Sequence, residues 1–250
     1  MVKDNMNGEK YGDNFQQKSK YTRNNLPQHR LDWENKPEMY KTYQNPIKTI
    51  DFPEIKFPKG TNFWEIIKNR RSTRNFSQIP LSIEELGLVL FGISGINRRL
   101  PQFQFRTVPS AGGLFPIETY PVINNFSDLA KGIYHYNIKQ HSLEFIKEGD
   151  FRKKVANACL GQKMAFKSSV NFIWTAIIER SQWKYLQRCY RYIYLDAGHI
   201  GQNLYLVGEA LNLGVCTIGA IFDDELNNII NVDGEKETSV YVGVVGKKLR

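Results

Sequence analysis

The chain has 250 residues, 41% of them hydrophobic and 24% charged, with a formal net charge of +9. That length suits one large domain or one domain with an arm, and the apolar share is enough for a sizeable core. The positive charge is scattered. With no basic helix repeat, zinc-ligand spacing or aromatic RNA-binding motif beside it, it speaks against nucleic acid and for an anionic cofactor or substrate.

Residues 1–20 are polar and read as disordered, without the apolar stretch of a signal peptide. Cys159, Cys189 and Cys216 form no CxxC pair and leave an odd count, as in a reduced, cytoplasmic protein. No run approaches the roughly 18 apolar residues of a membrane span. Residues 21–60 mix aromatic and aliphatic side chains with prolines and read as an irregular arm lying on a surface. The folded body is expected over 61–250.

Thr61 or Asn62 is placed to cap a helix through Phe63, Trp64, Ile66 and Ile67. Ser82 and Glu85 have the spacing of a capping box that opens a helix stopped by Gly92 and Gly95. Strands are predicted over 119–123 and 132–137, and a third over 141–147 that closes a hairpin through 137–140. Asp150 is expected to cap a short helix, and the β-branched, aromatic run 169–178 reads as a central strand. The longest helix is predicted over 190–213, ended by Gly214. It is apolar almost all round, which predicts burial on every side or an oligomer interface. Asp223 and Asp224 then cap another short helix, and 238–245 forms a final strand.

Arg70, Arg71, Ser72 and Arg74 gather three guanidinium groups and a hydroxyl in one short segment, which suits a phosphate; the plainer reading is a solvated helix end. Pro109, Ser110, Ala111, Gly112 and Gly113 offer small residues on which a planar ring could lie; the plainer reading is a turn. Together they point to a phosphorylated aromatic cofactor. Asp196, His199 and Asn203 share one face of the long helix, as a structural network or as the polar edge of a site. Lys247 and Lys248 are a solvated pair or a further phosphate contact.

In family order, Arg70 to Arg74, Pro109 to Gly113, the Tyr190-Arg191-Tyr192 to Asn203-Leu204 helix and Ile218-Gly219-Ala220 resemble the nitroreductase-like flavoproteins, and within them the SagB-type dehydrogenases. The resemblance covers 61–249 and takes in the arm as that subgroup's extension. It implies an α+β, nitroreductase-like fold, a central mostly antiparallel sheet flanked by helices, and a homodimer with one FMN per subunit. FMN is expected over FAD because no GxGxxG follows a strand. By motif match Arg70, Ser72 and Arg74, with Arg71 beside them, bind the phosphate and ribityl chain. Ser110 and Gly112, with Pro109 and Ala111, line the isoalloxazine, as do Ile218 and Gly219; Asn203 borders the cofactor, and Lys247 or Lys248 approaches the phosphate. SagB-type relatives oxidise azolines to azoles in peptides, and Lys184 and Tyr185 match the Lys-Tyr pair expected to handle the proton. The alternatives are an NAD(P)H-dependent nitroreductase or quinone reductase acting on small molecules, and a flavin-binding protein without activity.

Overall fold

A computed structural model describes residues 10–24 and 26–249. The N-terminal part holds α1 (Tyr11–Lys18) and β1 (Lys48–Asp51). The body runs α2 (Phe63–Asn69), α3 (Ile83–Ser94), the short strands β2 (Ile96–Arg99) and β3 (Gln104–Arg106), then β4 (Ile117–Ile123), β5 (Gly132–Asn137) and β6 (Ser142–Glu148). It continues with α4 (Arg152–Ala158), α5 (Lys163–Lys167), β7 (Val170–Ile177), α6 (Ile178–Tyr185), α7 (Cys189–Ala210), β8 (Leu213–Ile218), α8 (Asp223–Ile230) and β9 (Glu237–Lys247). Among the described residues no helix is long and apolar enough to cross a membrane.

Local chemistry explains several of these boundaries. The Asn62 side chain accepts the Trp64 N–H at the start of α2. Ser82 and Glu85 form the full reciprocal capping box of α3. Asn137 accepts the Gln140 N–H in the β5–β6 turn, where His141 takes a positive φ of 52°.

Seven strands form one sheet in the order β1-β6-β5-β4-β7-β9-β8, every neighbouring pair antiparallel. Side chains alternate between its faces. Phe172 and Trp174 join Leu90, Ile93, Ile193, Ile200 and Leu204 of α3 and α7 on one face. Tyr120, Ile173 and Val242 meet Val155, Ala165, Leu226 and Ile230 of α4, α5 and α8 on the other. Burying each such aliphatic or aromatic side chain contributes roughly 1.5–3 kcal/mol.

Five expectations change. Residues 1–9 lie outside the described residues, but Tyr11–Lys18, inside the stretch expected to be disordered, is helical. The long helix ends at Ala210, and Gly214 is a strand residue. Asn212 supplies the left-handed turn with φ 53°. Gly214 is small because a β-carbon there would fall 2.7 Å from the Thr73 Cγ2. That helix is also not buried on all sides of one chain, since Tyr194 and Leu195 are each 58% exposed. Asp223 and Asp224 lie in the first turn of α8, where their charge favours the helix dipole, and Phe222 holds the cap position without a side-chain bond. The arm is partly regular: β1 extends the sheet at β6, pairing Lys48 with Phe145.

Candidate active site

Two groups of the expected residues gather against α7. The first forms around the turn 109–113. Gly112 has a φ of 64°, a conformation glycine adopts at little cost. A β-carbon built on it would stand 2.7 Å from the Tyr185 Oη and 3.2 Å from the Lys184 Nζ. The fold thus brings the Lys-Tyr pair of α6 onto the small-residue turn. Asp196 fixes that turn from α7: Ser110 Oγ donates to its Oδ2 at 2.5 Å and the Ala111 N–H donates to its Oδ1 at 3.3 Å. Ser110 Oγ also accepts the Phe115 N–H at 2.9 Å. Burial raises the Asp196 carboxyl above its ordinary range against the pull of the Ser110 and Ala111 bonds. Burial likewise raises the Tyr185 phenol, helped by the neighbouring Tyr192, whose ring centroid lies 4.4 Å away.

The second group lies at β8. Ser72 bridges to Val215, and Thr73 N–H donates to the Val215 carbonyl at 2.7 Å. Ser72 Oγ and the Tyr205 hydroxyl are 3.0 Å apart, and the Arg70 guanidinium lies 5.2 Å from the Tyr205 ring centroid. Arg71 and Arg74 are exposed and donate only to nearby carbonyls of 68, 70 and 72. Among the described residues none of the three guanidinium groups has a carboxylate within ion-pair distance.

Lys247 and Lys248 reach this side of the sheet, but each ammonium is engaged: Lys247 pairs with Glu85, and Lys248 with Glu209 at 2.8 Å. Ile218 turns its side chain into the core, so it offers only backbone; Gly219 is exposed at the strand end. Asn203 directs its amide to the Gly92 carbonyl at 2.9 Å and the Thr107 carbonyl at 3.5 Å, tying α3 to the 107 segment. His199 is exposed.

The two groups are not brought together within one chain. Asp196 and Tyr205 are nine positions apart, about two and a half turns of α7, so they point to opposite sides of that helix.

A buried polar network went unread in the sequence. On the α4/α8 face, His135 is held between Glu144 at 2.8 Å and Glu118 at 3.0 Å. Arg180 donates to Glu118 at 2.5 Å. Glu237 accepts the Tyr120 and Thr175 hydroxyls, each at 2.7 Å, and the Lys41 ammonium at 2.5 Å. Burial raises the Glu118 carboxyl, but Arg180 and His135 outweigh it and hold it at about 2. Burial lowers His135, and the bonds to Glu118 and Glu144 more than reverse that. The alternation of Leu143 and Phe145 with polar residues on β6 reads as polar groups facing outward, yet Ser142 and Glu144 are buried because the sheet is covered on both faces.

The fold recurs in solved structures. A provisionally named nitroreductase from Anabaena variabilis superposes with a TM-score of 0.77 at 27% identity, covering 93% of this chain and 45% of that longer one. The Escherichia coli microcin synthetase McbBCD complex with truncated pro-MccB17 bound contains a chain at TM-score 0.62 and 20% identity, covering 96% of this chain and 92% of that one. These likenesses define an α+β domain of nitroreductase fold. The chain belongs to the Nitroreductase family, whose profile matches residues 67–247. Among sequence relatives, a provisionally named nitroreductase from Methanocaldococcus jannaschii is 31% identical over 203 residues, 81% of this chain and 96% of the relative. The microcin B17-processing protein McbC of E. coli is 24% identical over 227 residues, 87% of this chain and 78% of the relative. The resemblance to the SagB-type branch is borne out by such relatives.

Proposed function

We propose that this chain is an FMN-dependent, SagB-type oxidoreductase that oxidises an azoline in a peptide. The observation that carries the reading is the meeting of Lys184 Nζ and Tyr185 Oη at Gly112. It sets an amine and a phenol at the turn that the motif match assigns to the flavin ring. Peptide substrates are supported by the relatives, one of which processes microcin B17.

The residues fit the cofactor. Arg70, Arg71 and Arg74 carry charge that no carboxylate of the described residues neutralises, and Ser72 adds a hydroxyl. Charge-assisted bonds from arginine suit a phosphate near two negative charges. Gly112, lacking a β-carbon, lets Lys184 and Tyr185 come close to the turn. Bound FMN would supply a hydride acceptor at N5. The chain's own residues would do the rest: Lys184 or Tyr185 takes the proton from substrate carbon, and Asp196 holds the turn still through Ser110 and Ala111.

The same geometry supports a homodimer. The arginine cluster and the 109–113 turn lie on opposite sides of α7, so a ligand touching both needs two copies of the chain. Phe63, Trp64, Tyr194 and Leu195, on α2 and α7, are each more than half exposed and supply apolar surface for that contact.

The test is an anaerobic one. Yellow protein whose heat-released cofactor co-migrates with FMN should bleach when mixed with an azoline peptide. Bleaching by NADH or NADPH alone would favour the reductase alternative. Absence of bound flavin would overturn the reading.

A further inference from the structure

Helix α6 carries Lys184 and Tyr185 in its last turn, and Arg180 stands one turn earlier. Arg180 is only 3% exposed, yet its guanidinium makes three bonds to two distant stretches of chain. Nη1 donates to Glu118 Oε1 at 2.5 Å and to the Phe115 carbonyl at 3.3 Å. Nε donates to the Glu38 carbonyl at 2.7 Å. Phe115 in turn donates its N–H to Ser110, so one of these bonds is relayed to the 109–113 turn through Phe115. Glu118 is held in the sheet by His135, and Glu38 belongs to the arm.

The arm touches the same helix a second time. Trp183 Nε1 donates to the Asp32 carbonyl at 2.7 Å, and the Trp33 ring meets Trp183 edge-on with centroids 5.1 Å apart. Beyond these contacts Lys41 anchors the arm on Glu237 and on the Tyr120 hydroxyl.

We propose that Arg180 is a positioning residue through which the arm at 32–41 fixes Lys184 and Tyr185 against the 109–113 turn; this rests on reading those two residues as the proton-handling pair. A planar guanidinium holding the arm, the turn and the sheet together sets the rotation of α6 about its own axis. The reach of Lys184 and Tyr185 to Gly112 depends on that rotation. Lysine, a point charge on a flexible stem, cannot reproduce three bonds in one plane. A displacement near 1 Å at reacting groups can cost about a hundredfold in rate.

The experiment uses the flavin-loaded protein and the azoline peptide. Arg180→Lys keeps the charge. Trp183→Phe loosens the arm at the surface and leaves the buried charges intact, so it carries the test if the first variant does not fold. Flavin stoichiometry, kcat, KM and amide hydrogen exchange of 178–185 and 32–41 are measured. The expected result is a kcat lower by about a hundredfold for Arg180→Lys and several-fold for Trp183→Phe. KM and flavin content should hold within twofold, and exchange should rise in both segments together. Unchanged kcat per flavin in the folded variants, or a fall in activity that tracks only the folded fraction, would overturn the proposal. Lys184→Met and Tyr185→Phe serve as controls: if both keep full turnover, the parent reading has failed and this one with it. If they lose turnover while Arg180→Lys and Trp183→Phe retain it, the positioning role alone has failed.

Discussion

Gly112 and Tyr185 approach so closely that any side chain at residue 112 would collide with the phenol, its β-carbon falling 2.7 Å from the Oη. Gly112→Ala therefore meets two penalties. The left-handed φ of 64° costs an alanine about 1–2 kcal/mol, and the methyl displaces the Lys184–Tyr185 pair. Thermal denaturation should register the first. Turnover at unchanged flavin content should fall at least tenfold and register the second.

Ser110→Ala removes the acceptor of the Phe115 N–H and one of the donors to Asp196. A loss of about 1–3 kcal/mol is expected in chemical denaturation, since a polar group is left without its partner. A variant as stable as the wild type would show that water replaces these bonds at no cost.

Arg70→Ala with Arg74→Ala should release FMN. Each charge-assisted bond contributes roughly 1.5–3 kcal/mol, so the double variant should hold flavin at least a hundredfold more weakly. The readout is flavin retained through gel filtration. Stoichiometric yellow protein would reduce the cluster to surface charge.

The His135 network gives a pH signature. Burial lowers the His135 ring, but its bonds to Glu118 and Glu144 leave it above its ordinary 6.5. Its share of stability is therefore complete below 6.5 and is lost as pH rises through the raised value. Glu118, down at about 2 from an ordinary 4.5, and Glu144, also lowered, contribute above 4.5 and lose that share as pH falls. The network should stabilise most between about 4.5 and 6.5. The Tm difference between wild type and His135→Gln should be greatest there and shrink toward alkaline pH. A constant difference would mean that His135 stays neutral.

Features settled within a few residues were legible in the sequence. The capping box at Ser82 and Glu85 and the bounds of β5 depend on neighbours, and both stand as read. Gly214 misled because two residues could end the helix and Asn212 took the turn. The lysines at 247 and 248 are adjacent in sequence, but their partners, Glu85 and Glu209, are 162 and 39 positions away. No pattern announces such pairs. Arg180 was unreadable for the same reason: its partners Glu118 and Glu38 lie 62 and 142 residues distant. The role of Asp196 was half visible, as a polar interruption on an apolar helix whose partner, Ser110, only the fold reveals.

The opposed faces of α7 carry a genetic consequence. In the proposed dimer each composite centre draws its arginine cluster from one polypeptide and its Lys-Tyr pair from the other. Co-expressing a chain altered at Arg70 and Arg74 with a chain altered at Tyr185 would yield mixed dimers. One centre in each would collect both lesions and the other neither. Two alleles that are inert alone would then complement, restoring about half of the wild-type centres in every heterodimer.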